Sequence, residues 1–578
     1  SSLEDFSIGI KLALCGIGAV LSSEDGFCVI KELVPGGPAD LDGRLKVGDK
    51  IVGVAQGDGH FEDIVDMKLR NAVKKIRGPK NTLVRLQVIP VGTSAGELRE
   101  IQITRDEVKL SAQQATASIY DLPRGGSSPV PVVTVAPLQP TTPSNWNPPP
   151  NTWKERVFVL VTNLLERFKG KPATASATFP PADIPPKGKD VWRVGLIDLP
   201  SFYGEVGGAE SAASGHGATP RSTSEDVELL IRQLNQASVD GIILDLRKNG
   251  GGLLDEAVAL AGLFIDQGPV VQVRDGKGAV IERTDDRPGA LFQGPLLVLV
   301  GRRSASASEI VAGALQNYQR AIVVGEKSTH GKGTVQAVVE LGKLPLFQRP
   351  NQSPGKVGAM KLTIQKFYLP NGHSTQNRGV IPDIVIPSPL DYMKIGESDL
   401  PNALPWDEIN PAPFEPLSIP PKTEVALTEK SRQRLDSDPD VAFLREDIQK
   451  VKSRLETGTI SLNEDKRVTE KGTEDIRNGQ RKAIEERIEK TLPPVTHLVI
   501  DGKKNTVVAT DKNPKKKKPS LEESADESEG VTDAVDLAEI LELREGLRIM
   551  GDWLALSTPP ASTTIAKDKD PHKTTTVK

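Results

Sequence analysis

Residues Val300 to Gln336 read VGRRSASASEIVAGALQNYQRAIVVGEKSTHGKGTVQ, and this stretch decides the fold. The apolar run Leu296–Val300 that leads into it has the composition of a buried strand. It ends at a turn of small residues carrying Ser304, Ser306 and Ser308. Ala307–Tyr318 then reads as a helix and Ala321–Gly325 as the next strand, the rhythm of an α/β layer. A serine at such a strand-to-helix turn lies beside backbone N–H groups that have no partner within the helix. Those amides can stabilise a developing oxyanion, so the turn suits an acyl-transfer nucleophile. Ser308 with Glu309 also suits a helix cap, so one of the three serines is expected to be structural.

A serine nucleophile needs a base. His330 is the only histidine nearby in sequence, and Lys332 follows it in Gly331-Lys332-Gly333. Desolvation lowers the pKa of a buried lysine, and the neutral amine can deprotonate a serine. The flanking glycines let backbone approach closely. A phosphate loop does not fit. Five residues separate Gly325 from Gly331 where that motif has four, and Gly333 stands where it requires Ser or Thr. A third piece is Asp245-Leu246-Arg247-Lys248-Asn249-Gly250-Gly251-Gly252, where strand Gly241–Leu246 hands over to helix Leu253–Phe264. Its glycines suit close approach of a substrate or amide donation to an oxyanion; an ordinary turn is the plain alternative. The GxGxxG dinucleotide spacing is absent from this turn.

Outward from these pieces, strands Val194–Leu199 and Val270–Arg274 and helix Ser224–Gln236 complete a core over residues 190–395. Gly204–Ser224 is a loose Gly/Ser/Ala stretch. Residues 12–106 read as a small β-rich domain. It has runs at Gly18–Leu21, Phe27–Ile30, Lys50–Val54, Leu83–Ile89 and Leu98–Thr104, a helix over Asp63–Arg77 and a short one after Gly37-Pro38. Residues 1–11 are a connecting segment, and 107–121 a core strand or linker. Residues 122–189 are proline-rich, with one amphipathic helix at Trp153–Phe168. Residues 396–578 become charged, with helices expected at Thr428–Leu455, Thr473–Leu492 and Asp536–Leu556. Lys515–Lys518 with Glu522–Glu529 is expected to be a solvated loop, and the last ~20 residues a disordered tail.

The 578 residues suit roughly three or four domains. Lys+Arg 73 against Asp+Glu 77 excludes a global nucleic-acid signature. No apolar run reaches the ~20 residues of a membrane-spanning helix. The six histidines show no HExxH spacing, so neither a zinc hydrolase nor any other metal site is expected. Cys15 and Cys28 are expected to remain thiols, with Cys28 facing Val20 in a hairpin turning at Ser22–Gly26. The chain opens Ser-Ser-Leu-Glu, without Met or a signal peptide, and reads as processed or cropped.

LDLRKNGGG, SASASEI and GKGTVQ, in that order, resemble the tail-specific or C-terminal processing serine proteases, which use a Ser–Lys dyad. CGIGAVL, PGGPAD, LKVGDKIVGVAQG and IRGPK resemble the PDZ domain of that family. GLIDLPSFY, the run Phe264–Asp275, TIQKFY and NALPWDEI resemble its long, Gram-negative periplasmic type. The resemblance implies an α+β and α/β multidomain chain: a small β-rich PDZ domain ahead of a βαβ-type protease core, then a charged helical C-terminal region. It implies Ser306 as nucleophile, Lys332 as general base and Gln336 as holder of the lysine amine. The N–H groups of Ala307 and Gly252 (or Gly251) would form the oxyanion hole. Gly16, Ile17, Gly18 and Ala19 would capture a substrate's C-terminal carboxylate, with the tail added as a strand and apolar end residues preferred.

It further implies ATP-independent endopeptidase activity with no cofactor and protein substrates with free apolar C-termini. A periplasmic or envelope location, a tetratricopeptide-type lipoprotein adaptor and a helical domain ahead of the PDZ also follow from it. Asn317 stands where such proteases often have Asp, and the Glu326–Lys332 loop is one residue longer than usual, with Lys327 a rival base. Those two departures are what favour the alternative, an inactive protease-like PDZ binding scaffold.

Overall fold

The computed structural model describes residues 13–24, 26–34, 37–92, 98–109, 114–124, 182, 184–204, 222–341, 359–417, 419–459, 461–501, 506–510 and 529–557. The helix expected at Trp153–Phe168, the 1–11 segment, most of Gly204–Ser224, the Lys515–Lys518 run and the final residues lie outside them.

The N-terminal module comprises β1 (Ala13–Gly16), β2 (Ala19–Glu24), β3 (Phe27–Leu33), α1 (Pro38–Asp42), β4 (Lys50–Gln56), β5 (Glu62–Asp63), α2 (Leu69–Ile76), β6 (Leu83–Ile89), β7 (Arg99–Thr104) and β8 (Asp106–Lys109). Its sheet runs β2-β3-β4-β6-β7, with β5 on β4. Alternation in LVRLQVI buries Val84, Leu86 and Val88 against Ile30, Ile51, Val54, Ala72 and Ile76. At one side of the module β1 pairs antiparallel with β8. Two expectations change. Helix α2 begins at Leu69 rather than Asp63, because the Asp63 carboxylate accepts the Val65 N–H at 2.8 Å and Asp66 takes φ 55°, a turn the helical spacing concealed. The β2–β3 hairpin is tighter than expected: Glu24 pairs with Phe27, so Cys28 lies opposite Ser23, not Val20.

The core follows: β9 (Thr116–Pro123), β10 (Val191–Asp198), α3 (Thr223–Gln236), β11 (Gly241–Asp245), α4 (Leu254–Ala261), β12 (Gly268–Asp275), β13 (Val280–Asp285), β14 (Leu296–Val300), α5 (Ala307–Asn317), β15 (Ile322–Gly325), β16 (Thr334–Glu340), β17 (Ala359–Tyr368) and β18 (Ile384–Val385). Strands β10, β11, β14, β15 and β18 are parallel neighbours. Every residue of LLVLV in β14 is buried, as a central parallel strand requires. A second sheet, β13-β12-β17-β16, is antiparallel throughout, and its strand β16 begins directly after the lysine loop.

The C-terminal region adds α6 (Pro421–Ser437), α7 (Pro439–Thr457), α8 (Glu464–Thr491), β19 (Val495–Asp501), β20 (Thr506–Thr510) and α9 (Glu529–Ser557). The single helix expected over Thr428–Leu455 is two. Pro439 supplies no N–H, and the Asp438 carboxylate caps α7 by accepting the Asp440 N–H at 2.9 Å. The hairpin β19–β20 was not foreseen; β19 joins β9 and extends the large sheet to β18-β15-β14-β11-β10-β9-β19-β20. Helix α9 packs Leu547, Ile549, Met550, Trp553 and Leu554 onto Val194, Leu196, Ile243, Leu297 and Leu299 of that sheet. Among the described residues no helix is long and apolar enough to cross a membrane.

Candidate active site

Strand β14 ends at Val300, and the turn that follows separates the three serines by their hydrogen bonds. Ser304 Oγ donates to the Leu246 carbonyl at 2.7 Å and accepts the Gly301 N–H at 2.9 Å. Ser308 Oγ donates to the Asn249 carbonyl at 2.7 Å. Both are fully buried, whereas Ser306 is half-buried. Ser306 occupies the N-cap of α5 with φ 56°, a conformation rare for a residue with a side chain and characteristic of strained sites. The cap expected at Ser308 therefore falls on Ser306, with Glu309 at the third helical position.

Asn249 sets the glycine loop against this turn. Its Nδ2 donates to the Leu199 carbonyl at 2.9 Å, and its Oδ1 accepts the Gly251 N–H at 2.8 Å. Its own carbonyl accepts the Ala305 N–H at 3.1 Å. A Cβ on Gly251 would stand 2.9 Å from Ser306 Cβ and 3.2 Å from Ala307 N, so only glycine admits this approach. Because Asn249 engages the Gly251 amide, Gly252 and Ala307 are the better-placed candidate oxyanion donors. Gly252, at φ 149°, packs where any Cβ would overlap the Phe202 carbonyl.

Glu309 sets the lysine loop against the same turn. Its Oε2 accepts the N–H of Ser306 at 2.8 Å and of Lys332 at 3.0 Å. Its Oε1 accepts the Gly331 N–H at 2.7 Å and Thr329 Oγ1–H at 2.6 Å. One buried carboxylate thus bridges the backbone of the candidate nucleophile and that of the candidate base. Burial pushes its carboxyl up to about 7, against the pull of the four donors. The long lysine loop is braced from behind as well. Thr375 Oγ1 donates to the Lys332 carbonyl at 2.8 Å, and Gln376 Oε1 accepts the Gly333 N–H at 2.8 Å.

Lys332 is half-buried, and its Nζ donates to Gln336 Oε1 at 3.4 Å, a long bond to an exposed partner. Burial first, then the positive charge of Lys361, lowers its pKa below the ordinary lysine value. The rival Lys327 is exposed, and its backbone N–H is held by Asp391 at 3.0 Å. The His330 ring lies 3.8 Å from Glu397, and its backbone N–H donates to the Ser304 carbonyl at 2.9 Å. Asn317 sits at the opposite end of the eleven-residue α5 from Ser306, about 16 Å away, and accepts the Asn371 N–H at 3.1 Å. Among the described residues no group of His, Cys, Asp and Glu is arranged to hold a metal.

In the N-terminal module, Gly16 closes β1, and Gly18 (φ 75°) turns the chain into Ala19 at the start of β2. The carbonyls of buried Ile17 and of Gly18 accept the N–H groups of Ala39 and Val34, both at 2.8 Å, which fixes the loop. β2 is the outer strand of its sheet and runs beside α2, with Leu21, Leu69, Val73 and Ile76 in the shared apolar cluster.

Glu309, Asn249, Thr329, Thr375 and Gln376 were missed in the sequence. A capping-box spacing from Ser306 to Glu309 was the available signal for one, and an Asx turn before a glycine run for another.

The core sheet presents a strained serine turn between a glycine loop and a lysine loop, and the N-terminal module has β2 as an outer strand among the described residues, an arrangement that fits a modular peptidase. Residues 193–386 match Peptidase family S41, residues 7–89 a PDZ domain and residues 390–555 the C-terminal domain of tail specific protease. The chain therefore carries a peptidase family S41 domain between a PDZ domain and the C-terminal domain of the tail-specific proteases. It is 35% identical over 477 residues to "Tail-specific protease" of Haemophilus influenzae, covering 82% of this chain and 55% of that one. It is 38% identical over 189 residues to "Carboxy-terminal-processing protease" of Bartonella bacilliformis, covering 31% and 40%. A solved PDZ domain of carboxy-terminal protease from Vibrio cholerae, in complex with peptide, is 42% identical, covering 17% of this chain and 100% of its own, with TM-score 0.17. The chain spans about half the length of these curated relatives.

Proposed function

We propose that this chain is an ATP-independent serine endopeptidase that selects protein substrates by an apolar C-terminal tail. The observation that carries this reading is the placement of Ser306. Ser304 and Ser308 are buried with their hydroxyls donated to backbone carbonyls, whereas Ser306 is half-buried at a strained N-cap between the glycine loop and the lysine loop. The tail adds to the open edge of β2, with its carboxylate on the amides of the Gly16–Ala19 loop and its last side chain toward Leu21, Leu69, Val73 and Ile76. Neutral Lys332 takes the Ser306 proton as Oγ attacks the scissile carbonyl, and the Gly252 and Ala307 amides bind the oxyanion. Lys332 then protonates the leaving amine, and water deacylates Ser306 by the same route. Gln336 steadies the amine.

Envelope proteins in a periplasmic or envelope compartment, presented by a tetratricopeptide-type lipoprotein, fit this reading. Against the inactive-scaffold alternative stand the distance of Asn317 from Ser306 along α5 and the bracing of the longer loop by Glu309, Thr375 and Gln376. The test is cleavage of an unfolded substrate bearing an apolar tail by wild type, Ser306→Ala and Lys332→Ala. Loss in both variants supports the dyad. Undiminished cleavage in either overturns it, and tail binding without any wild-type cleavage favours the scaffold.

A further inference from the structure

The C-terminal helix α9 touches the glycine loop and the serine turn, and one of its carboxyls feels the charge of Glu326 at the root of the lysine loop. Arg247 lies between strand β11 and Asn249, and its guanidinium is buried. Nε and Nη2 donate to the Asp245 carboxylate at 3.0 and 2.6 Å. Nη1 donates away from the core sheet, to the Glu539 carbonyl at 2.6 Å and to Glu542 Oε2 at 3.1 Å. The Glu539 carboxylate meets Lys248 at 2.5 Å on the same glycine loop and Arg303 at 4.0 Å in the serine turn. Glu542 is also repelled by the like charge of Glu326, at the root of the lysine loop. Glu326 in turn accepts the Arg302 N–H and Ser388 Oγ–H.

This contact is not ordinary packing. Glu542 is 2% exposed, its Oε1 has no hydrogen-bond partner, and the buried Glu326 carboxyl adds a like charge against it. Burial, then Glu326, pushes the Glu542 carboxyl well above its usual range. Stability alone would favour an apolar residue here, since an unsatisfied buried carboxyl oxygen is costly. The same helix offers an internal contrast. Glu545, equally buried and likewise left with one unpartnered carboxylate oxygen, pairs with Arg434 of α6 at 2.7 Å and, among the described residues, has its ion-pair partners outside the catalytic loops.

We propose that α9 is a positioning element of the active site. Glu542, acting through Arg247, holds the glycine loop in register with the serine turn and the lysine loop. This rests on the endopeptidase reading above and assigns the C-terminal domain a role in it: the domain completes the catalytic loops rather than only covering the sheet. Glu542 and Arg247 are positioning residues, not catalytic ones.

The full chain carrying Glu542→Leu, Glu542→Gln or Glu545→Leu is compared with wild type on the tailed substrate, with tail-peptide affinity and Tm measured in parallel. Gln keeps an acceptor for Arg247 Nη1, and Leu does not. The expected result is kcat down tenfold or more in Glu542→Leu, restored to within about threefold in Glu542→Gln, with tail affinity unchanged in both. Glu545→Leu, which breaks an equally buried pair, should lower Tm without lowering kcat at a temperature where it is folded. Wild-type kcat in Glu542→Leu, or a loss in Glu545→Leu matching that in Glu542→Leu, overturns the proposal. Retained cleavage in Ser306→Ala would instead overturn the endopeptidase reading, so the two failures are distinguishable.

Discussion

Replacing Glu309 by Gln perturbs the most constrained group of the site. Its carboxylate accepts from Thr329 Oγ1 and from the N–H groups of Gly331, Ser306 and Lys332. Glutamine keeps the size but turns one oxygen into an NH2 donor; placed at the Oε1 position it lets the Thr329 hydroxyl turn and accept but leaves the Gly331 N–H facing a donor. A buried donor left unsatisfied costs ~1–3 kcal/mol. Moving the Gly331 amide away to relieve the clash shifts the lysine loop against the serine turn. If about 2.7 kcal/mol of the loss appears in the transition state of acylation, the rate falls about 100-fold. The assay is steady-state cleavage of an unfolded tailed substrate, with tail-peptide binding measured alongside. The expected result is kcat down about two orders of magnitude with tail affinity unchanged.

The pH dependence gives a second readout. Burial raises the Glu309 carboxyl to about 7, and only the ionised form accepts all four hydrogen bonds. As pH falls through 7 the proton enters among four donors and loosens the loops. Wild-type activity should therefore carry an acid limb near pH 7, absent from the residual activity of the Gln variant. A Gln variant within twofold of wild type, with the same pH profile, would refute the reasoning.

Three further outcomes follow from the same geometry. Lys332 has a lowered pKa because burial disfavours its ammonium, so wild-type activity should keep rising above the Glu309 limb as the amine loses its proton; Lys332→Arg, which stays charged, should be inactive at every pH, and measurable pH-independent turnover would contradict this. Asn249→Ala removes bonds to the Gly251 N–H and the Leu199 carbonyl, each worth ~1–3 kcal/mol when its buried partner is orphaned, and kcat should fall about 10- to 100-fold with KM little changed. Gly18→Val puts a β-branched residue at φ 75° with its Cβ 3.1 Å from Gly37 Cα, which should weaken tail-peptide binding about tenfold by calorimetry while leaving cleavage of a short untailed peptide intact.

Much of the core was legible because its signals are local. LLVLV between turn signals reads as a buried strand, and the small-residue serine turn and the glycine loop both mark the ends of parallel strands. What escaped depends on contacts distant in sequence. Glu309 looked like a cap for one helix, yet three of its four partners come from a loop some twenty residues on. Asn249 appeared only as part of a glycine turn, since the carbonyl it reaches, Leu199, is fifty residues back. The hairpin β19–β20 lies in a stretch dominated by charge, and only its pairing with β9 makes it part of the sheet. The split at Asp438–Pro439 was readable and was hidden by the helical character on either side.

The most direct measurement is mass-spectrometric mapping of the adduct left by a serine-reactive phosphonate probe on the full chain. The expected result is one adduct, on Ser306, forming faster as pH rises and abolished in Lys332→Ala. An adduct on Ser304 or Ser308, or undiminished labelling of Ser306 in Lys332→Ala, would contradict a nucleophile at Ser306 activated by Lys332.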